Sequence, residues 1–217
     1  MKILCGARVV SGRCELFRSG RTFTGDLKKE LAGVLPENRV DWGDCRRGGE
    51  PVKLAILAAA AALVDLPVRC EREQTGVLGW NGAGCRTENV RFWRDCREHD
   101  GWGRGALFVG TLNSIPVCEA AIALGLHGAS GYLAGADWRR AAADFMRCHA
   151  LASLLMMEVG SGRADALWLA PEEGVEEAEF DSVFGACCDG LLRRNKGLLS
   201  GRDWAAGSGE KGGGRFS

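Results

Sequence analysis

The chain has 217 residues, 46% of them hydrophobic, with 28 Lys+Arg balanced by 28 Asp+Glu. That length suits one large domain or two small ones, able to bury roughly 70% of the unfolded surface. Zero net charge argues against general nucleic-acid binding, which needs a basic face, while leaving room for a local basic patch.

MKILCGARVV opens like a secretory signal, but Arg8, Arg13 and Glu15 interrupt it and no adequate apolar stretch follows. Lys2–Val10 reads as a strand, with Arg13–Phe17 returning as a hairpin. Leu27–Leu35 is a short helix ended by Pro36, and Asn38–Gly49 an irregular linker. Pro51 suits the first turn of a helix over Val52–Asp65. This helix is apolar nearly all round, so it is expected to be packed on several sides. Its core, Leu54–Val64, is the longest apolar run and far shorter than the ~20 residues of a membrane span.

Thr75–Trp80 reads as a buried strand, Asn81–Gly84 as a loop, and Arg86–His99 as a polar helix anchored by Val90, Phe92 and Trp93. Leu107–Thr111 is expected to be extended, Ile115–Leu124 an Ala-rich helix, and Ser130–Leu133 a short strand. Asp137 is a good N-cap for a long helix reaching Val159, with Trp138, Ala141, Phe145, Cys148, Ala152, Leu155 and Val159 as its apolar stripe. Ala164–Ala170 is a strand, Pro171–Asp181 an acidic loop and Val183–Leu192 a last helix. From Gly201 the composition turns to Gly, Ser and charge, which predicts a disordered tail. The boundaries that follow are one folded domain over 1–200 and the tail over 201–217. Strands alternating with helices predict an α/β layered fold.

Ten cysteines stand at positions 5, 14, 45, 70, 85, 96, 118, 148, 187 and 188, with no C-x-x-C spacing. Neither a zinc ribbon nor a thioredoxin motif is supported. Without a signal segment a disulfide framework is not expected either, and most of the thiols read as small buried hydrophobes. A cytoplasmic location, no membrane and no metal or other cofactor are the expectations.

Gly101–Ala106 matches G-x-G-x-x-A in letters, but a helix precedes it and an extended segment is expected after it, so it is read as a loop. His99, His127 and His149 lack metal-ligand spacing, and Cys148-His149 and Cys187-Cys188 read as packing or surface pairs. The glutamates of 172–179 read as a solvated loop. G-x-S-x-G is absent.

Four stretches carry a family resemblance: LPENRVDWGD followed by KLAILAAAAAL, GVLGWNGAGCRTENVRFWRDC, ALFVGTLNSIPVCEAAIALGLHG, and AADFMRCHALASLLMMEVGSGRADALWLAPEE. In order and spacing the chain resembles the N-terminal half of β-ketoacyl synthases of the thiolase fold, closest to the divergent β-ketoacyl synthase-like N-terminal domains. The resemblance covers roughly residues 30–173. It implies a half-thiolase fold: a mixed five-stranded sheet with helices on both faces. It also implies a cysteine nucleophile at a strand-to-helix turn, where the helix start lowers its pKa and it accepts an acyl group as a thioester.

Here that turn is Ala134, Gly135, Ala136 and Asp137, which holds no thiol or hydroxyl. Cys148 lies about 16 Å along the expected helix. The segment beyond Ala170 is too short for the second half that brings the other catalytic residues. The expected function is a non-catalytic β-ketoacyl-ACP synthase-like partner or accessory subunit in fatty-acid or polyketide biosynthesis. Its partners would be a second copy or a ketosynthase, paired through Ser130–Leu133 and Ile115–Leu124, and an acyl carrier protein. One alternative is an acyltransferase completed by another chain, with Cys118 or Cys85 as thiolate. Another is an unrelated α/β binding domain.

Overall fold

Val10 and Arg13 pair across a two-residue turn, Ser11-Gly12, in which both residues have positive φ, +39° and +79°. That geometry matches the right-handed twist of the strands it joins. It sets the register of β1 (Lys2–Val10) against β2 (Arg13–Leu16), and β3 (Thr22–Thr24) adds the outer edge. The computed structural model describes residues 1–35, 39–43, 49–80, 85–99, 101, 103–133 and 137–171. The loop Asn81–Gly84, the turn residues Ala134–Ala136, the acidic loop after Pro171, the helix expected over Val183–Leu192, Cys45, Cys187-Cys188 and the Gly-rich tail lie outside them.

Seven strands form one sheet in the order β3-β2-β1-β7-β6-β4-β5. The remaining strands are β4 (Thr75–Trp80), β5 (Ser130–Leu133), β6 (Ser153–Gly160) and β7 (Arg163–Ala170). The layered α/β fold is as expected, but with seven strands rather than five. β6 occupies what reads in sequence as the second half of the long helix, and β3 was not foreseen. That helix, α6 (Trp138–Cys148), stops at Cys148. His149 is its C-cap and Ala150 takes φ +49°. Cys148 is therefore exposed in the last turn, and the stripe ends at Phe145, whose ring packs 4.6 Å from His149.

The inner face of the sheet carries Ala7 and Val9 of β1, Val77 of β4, Leu155, Met157 and Val159 of β6, and Ala164, Ala166 and Trp168 of β7. Against it lie α1 (Leu27–Val34), α2 (Glu50–Asp65) and α5 (Ile115–Leu124). Asp26 caps α1 by accepting from Lys29 N–H at 3.2 Å, and Leu27 and Leu31 face inward. α2 buries Ala55, Ile56 and the run Ala58–Ala62. Its small side chains let it approach sheet and helices together, which is why an all-round apolar helix is stable here. Asp65, buried at its end, accepts from Arg18 and Ser19 N–H at 2.7 and 3.0 Å and ties α2 to the turn after β2.

α6 covers the other face. A Cβ on Gly131 would meet Phe145 at 3.0 Å and Leu78 at 3.3 Å, so the α6 side is the Leu78 side of β4. Farther along that face Arg8, Asp165, Arg163 and Glu158 bridge three strands, with Arg8 Nε 2.6 Å from Asp165 and Arg163 paired to the same carboxylate.

Two helices fill the connection from β4 to β5 before α5: α3 (Arg86–Glu98) and α4 (Gly105–Val109). α4 replaces the extended segment expected at Leu107–Thr111. Five residues are too few to display a period. G-x-G-x-x-A therefore opens a helix after all, yet no strand precedes it, so the dinucleotide fingerprint is still unmet.

Candidate functional site

β4 is parallel to both β5 and β6, so the carboxyl ends of β4 and β5 emerge together. Such a point, where crossovers leave in different directions, is the usual place for a site in an α/β sheet. The connection after β4 leads to Cys85 at the start of α3, and that after β5 to Asp137 at the start of α6. Close packing brings the strands together here: a Cβ on Gly79 would lie 2.7 Å from the Tyr132 ring and 2.8 Å from Val117.

A narrow recess of about 210 Å³, open solvent included, lies at this end. Its lining includes Trp80, Cys85, Asn113, Tyr132 and Met157. It is a seam between side chains rather than a preformed ligand cavity. Cys85 is 1% exposed and its Sγ lies 3.5 Å from the Leu112 carbonyl. Burial, with Glu88 adding to it, pushes the thiol pKa up. A thiol so placed stays protonated at neutral pH, the reverse of an activated nucleophile. Pro116 and Val117 of α5 line the recess; their neighbour Cys118 is half-buried and is not part of the lining. The structure thus brings one of the two candidate thiols to the site and leaves the other out.

Ala134, Gly135 and Ala136 lie outside the described residues, but Asp137 does not. Its Oδ1 accepts from Arg139 N–H at 3.2 Å and Arg140 N–H at 3.1 Å. The amide donors at the start of α6 are therefore engaged by a side chain of the chain itself. His127 lies 4.0 Å from Glu73, His99 Nδ1 is 2.8 Å from the Asp95 carbonyl, and His149 packs on Phe145, so each histidine has its own separate neighbour. Among the described residues no group of three or more His, Cys, Asp or Glu could hold a metal, and no helix is long and apolar enough to cross a membrane.

One arrangement had no signal in the sequence. Asp95, 4% exposed on α3, accepts from Arg104 N–H at 2.7 Å and Arg104 Nε at 2.8 Å. The Arg104 backbone N–H, helped by its guanidinium and by His99, pulls the carboxyl below the usual carboxylate range despite burial. The clamp fixes α4 to α3, where the Phe92 and Phe108 rings pack at a tilt of 58° with centroids 5.5 Å apart. In sequence, Asp95 reads as one more polar residue of a polar helix.

This mixed sheet, whose parallel strands feed helices on both faces, has the layered fold of solved ketosynthase and chain length factor structures. In particular, the structure is similar to the ishigamide ketosynthase/chain length factor, with TM-score 0.54 and 14% identity, over 80% of this chain and 63% of that one. It is also similar to a chain of the ketosynthase (ApeO) in complex with its chain length factor (ApeC) from Xenorhabdus doucetiae. There the TM-score is 0.51 and the identity 12%, over 80% of this chain and 79% of that one. The chain thus spans under two thirds of the first of these. No family model matches the sequence, and no curated protein matches it.

Proposed function

We propose that the chain is a non-catalytic ketosynthase-like subunit that works beside a ketosynthase, or a second copy of itself, in fatty-acid or polyketide synthesis. The observation that carries this is the start of α6. In the family it resembles, that helix start activates a nucleophile and stabilises an oxyanion. Here Asp137 occupies two of its amide donors, those of Arg139 and Arg140, and its negative charge would oppose an oxyanion at the same place. The thiol that lines the recess, Cys85, is buried with a raised pKa. Intact-mass spectrometry after incubation with acyl- and malonyl-carrier protein tests this. No adduct and no 3-oxoacyl product are expected; a stable acyl adduct on any residue overturns the reading.

The pairing part of the proposal rests on β5. It is the last strand of the sheet, with Ser130 exposed, Tyr132 and Leu133 half-exposed, and Ile122 of α5 61% exposed beside it. Among the described residues β5 pairs on one side only, and a strand edge flanked by apolar side chains is a template for strand addition. An acyl carrier protein as the source of acyl groups and a cytoplasmic location belong to the same reading. Co-purification with a ketosynthase encoded in the same genome, or a dimer by light scattering at tens of micromolar (about 7 kcal/mol of association), is expected. A lone monomer in both experiments sinks it.

A further inference from the structure

We infer that the outward face of α3, with the end of α4 beside it, docks an acidic amphipathic helix of a partner protein. Arg86, Val90, Trp93 and Arg97 stand at i, i+4, i+7 and i+11, which places them in one row along a helix of 3.6 residues per turn. All four are exposed, Val90 at 45% and Trp93 at 69%. The opposite side of α3 is the packed one, with Asp95 buried and Phe92 and Cys96 half-buried. Asn89, one turn before Trp93, reaches the Thr111 carbonyl at 3.5 Å. The exposed Val109 and Leu112 flank this contact, whereas Phe108 packs on Phe92 away from the row.

The charge on this surface is one-sided. Arg86, Arg91, Arg94 and Arg97 are exposed, whereas Asp95 is spent inside on Arg104 and Glu88 is half-buried, leaving Glu98 as the exposed acid of α3. A chain with no net charge concentrates a basic patch here. Arginine forks suit carboxylates, and Trp with Arg is the composition of interface hot spots.

The layout selects the occupant. Val90 and Trp93 share their row with Arg86 and Arg97, so sinking that row into lipid would carry two guanidiniums in with it. A phosphate backbone would use the arginines and leave the apolar residues uncovered. A helix reading acid-x3-apolar-x2-apolar-x3-acid matches every position over the ~16 Å from Arg86 to Arg97. This surface goes beyond the pairing proposed for β5 and does not depend on it.

The test uses the whole 217-residue chain and two labelled helical peptides of equal composition. One carries Glu-x3-Leu-x2-Leu-x3-Glu; in the other the acids are moved off that row. Fluorescence anisotropy is expected to show the in-register peptide binding at least about tenfold more tightly, with affinity falling as salt rises. Trp93→Ala should weaken it about tenfold or more, and Arg86→Glu with Arg97→Glu should abolish it. A peptide with Arg in place of both Glu should restore binding to the charge-reversed variant, a rescue that damage to the fold cannot mimic. Equal binding of both peptides, binding of neither, no rescue, or association instead with phosphatidylglycerol vesicles or duplex DNA overturns the inference.

Discussion

The two ends of the sheet are built differently. From β3 to β6 every neighbouring pair is antiparallel, and the hairpins β1–β2 and β6–β7 close through the two-residue turns Ser11-Gly12 and Ser161-Gly162. α2 seals the inner face of this part with alanines and Ile56 around Trp168. From β6 to β5 the pairs are parallel, so each connection must cross over through helices. That requirement brings the starts of α3 and α6, with Cys85 and Asp137, to one end of the sheet. The antiparallel part is therefore where stability is concentrated. The parallel part is where substitutions should alter what the surface can bind.

The largest effect expected is in the antiparallel part. Trp168 is 1% exposed, and Trp168→Ala should cost about 3–5 kcal/mol, seen as a large fall in thermal midpoint by circular dichroism. A loss below about 1 kcal/mol would break the comparison. Next comes Gly79→Ala, where the new Cβ meets Tyr132 and Val117 under 3 Å. Overpacking of this kind costs about 1–3 kcal/mol, and the strain should also loosen β5, read as faster exchange of the Gly131 and Tyr132 amides. Asp137→Ala removes a helix cap and should cost about 1 kcal/mol without creating acyl transfer. Acyl-enzyme formation in this variant would mean that the carboxylate alone was blocking a competent site.

Asp95→Asn should act locally. Because the folded carboxyl pKa is lowered, first by the Arg104 N–H, its contribution is present above the ordinary carboxylate range and is lost as pH falls through the folded value. Wild-type amides over Leu107–Leu112 should lose exchange protection on acidification, and those of the variant should already be less protected at neutral pH. The smallest effect concerns Glu158. Its side chain is 46% exposed, so only partial desolvation pushes its pKa up, with Arg163 opposing; the ionised form then weighs weakly against folding, and stability falls slightly as pH rises through the raised value. Glu158→Gln should leave the thermal midpoint unchanged or slightly higher at neutral pH; a clear fall would show that its pairing with Arg163 outweighs burial.

Much of the antiparallel part is legible from local pattern. Lys2–Val10, its hairpin and Ala164–Ala170 show their turns and apolar residues openly, and Pro51 with the apolar run after it marks α2. Ser153–Gly160 deceives because Leu, Met and Glu are good helix formers and the 3–4 spacing from Trp138 continues through Leu155 to Val159. In the fold both faces of β6 are covered, Leu154 and Met156 on one side and Leu155, Met157 and Val159 on the other. A strand buried on both faces has no alternation to show. The site was legible in part. The capping Asp137 could be read directly, while Ala134–Ala136 before it lie outside the described residues. That Cys85 lines the recess and Cys118 does not depends on which side of each helix meets β4.

By itself the sequence determined what local chemistry decides: the hairpin of Lys2–Val10 with the segment from Arg13, the cap Asp137, the all-round apolar α2, and a segment Ala134–Ala136 that offers no thiol or hydroxyl before Asp137. Each depends on a few adjacent residues and their own backbone preferences. Only the tertiary structure decided that 153–160 is a strand, that Asp95 closes on Arg104, and that Arg86, Val90, Trp93 and Arg97 share one exposed row. Those outcomes depend on pairing and burial between segments far apart in the chain. There the free energy of covering apolar surface exceeds helix propensities of under about 1 kcal/mol per residue.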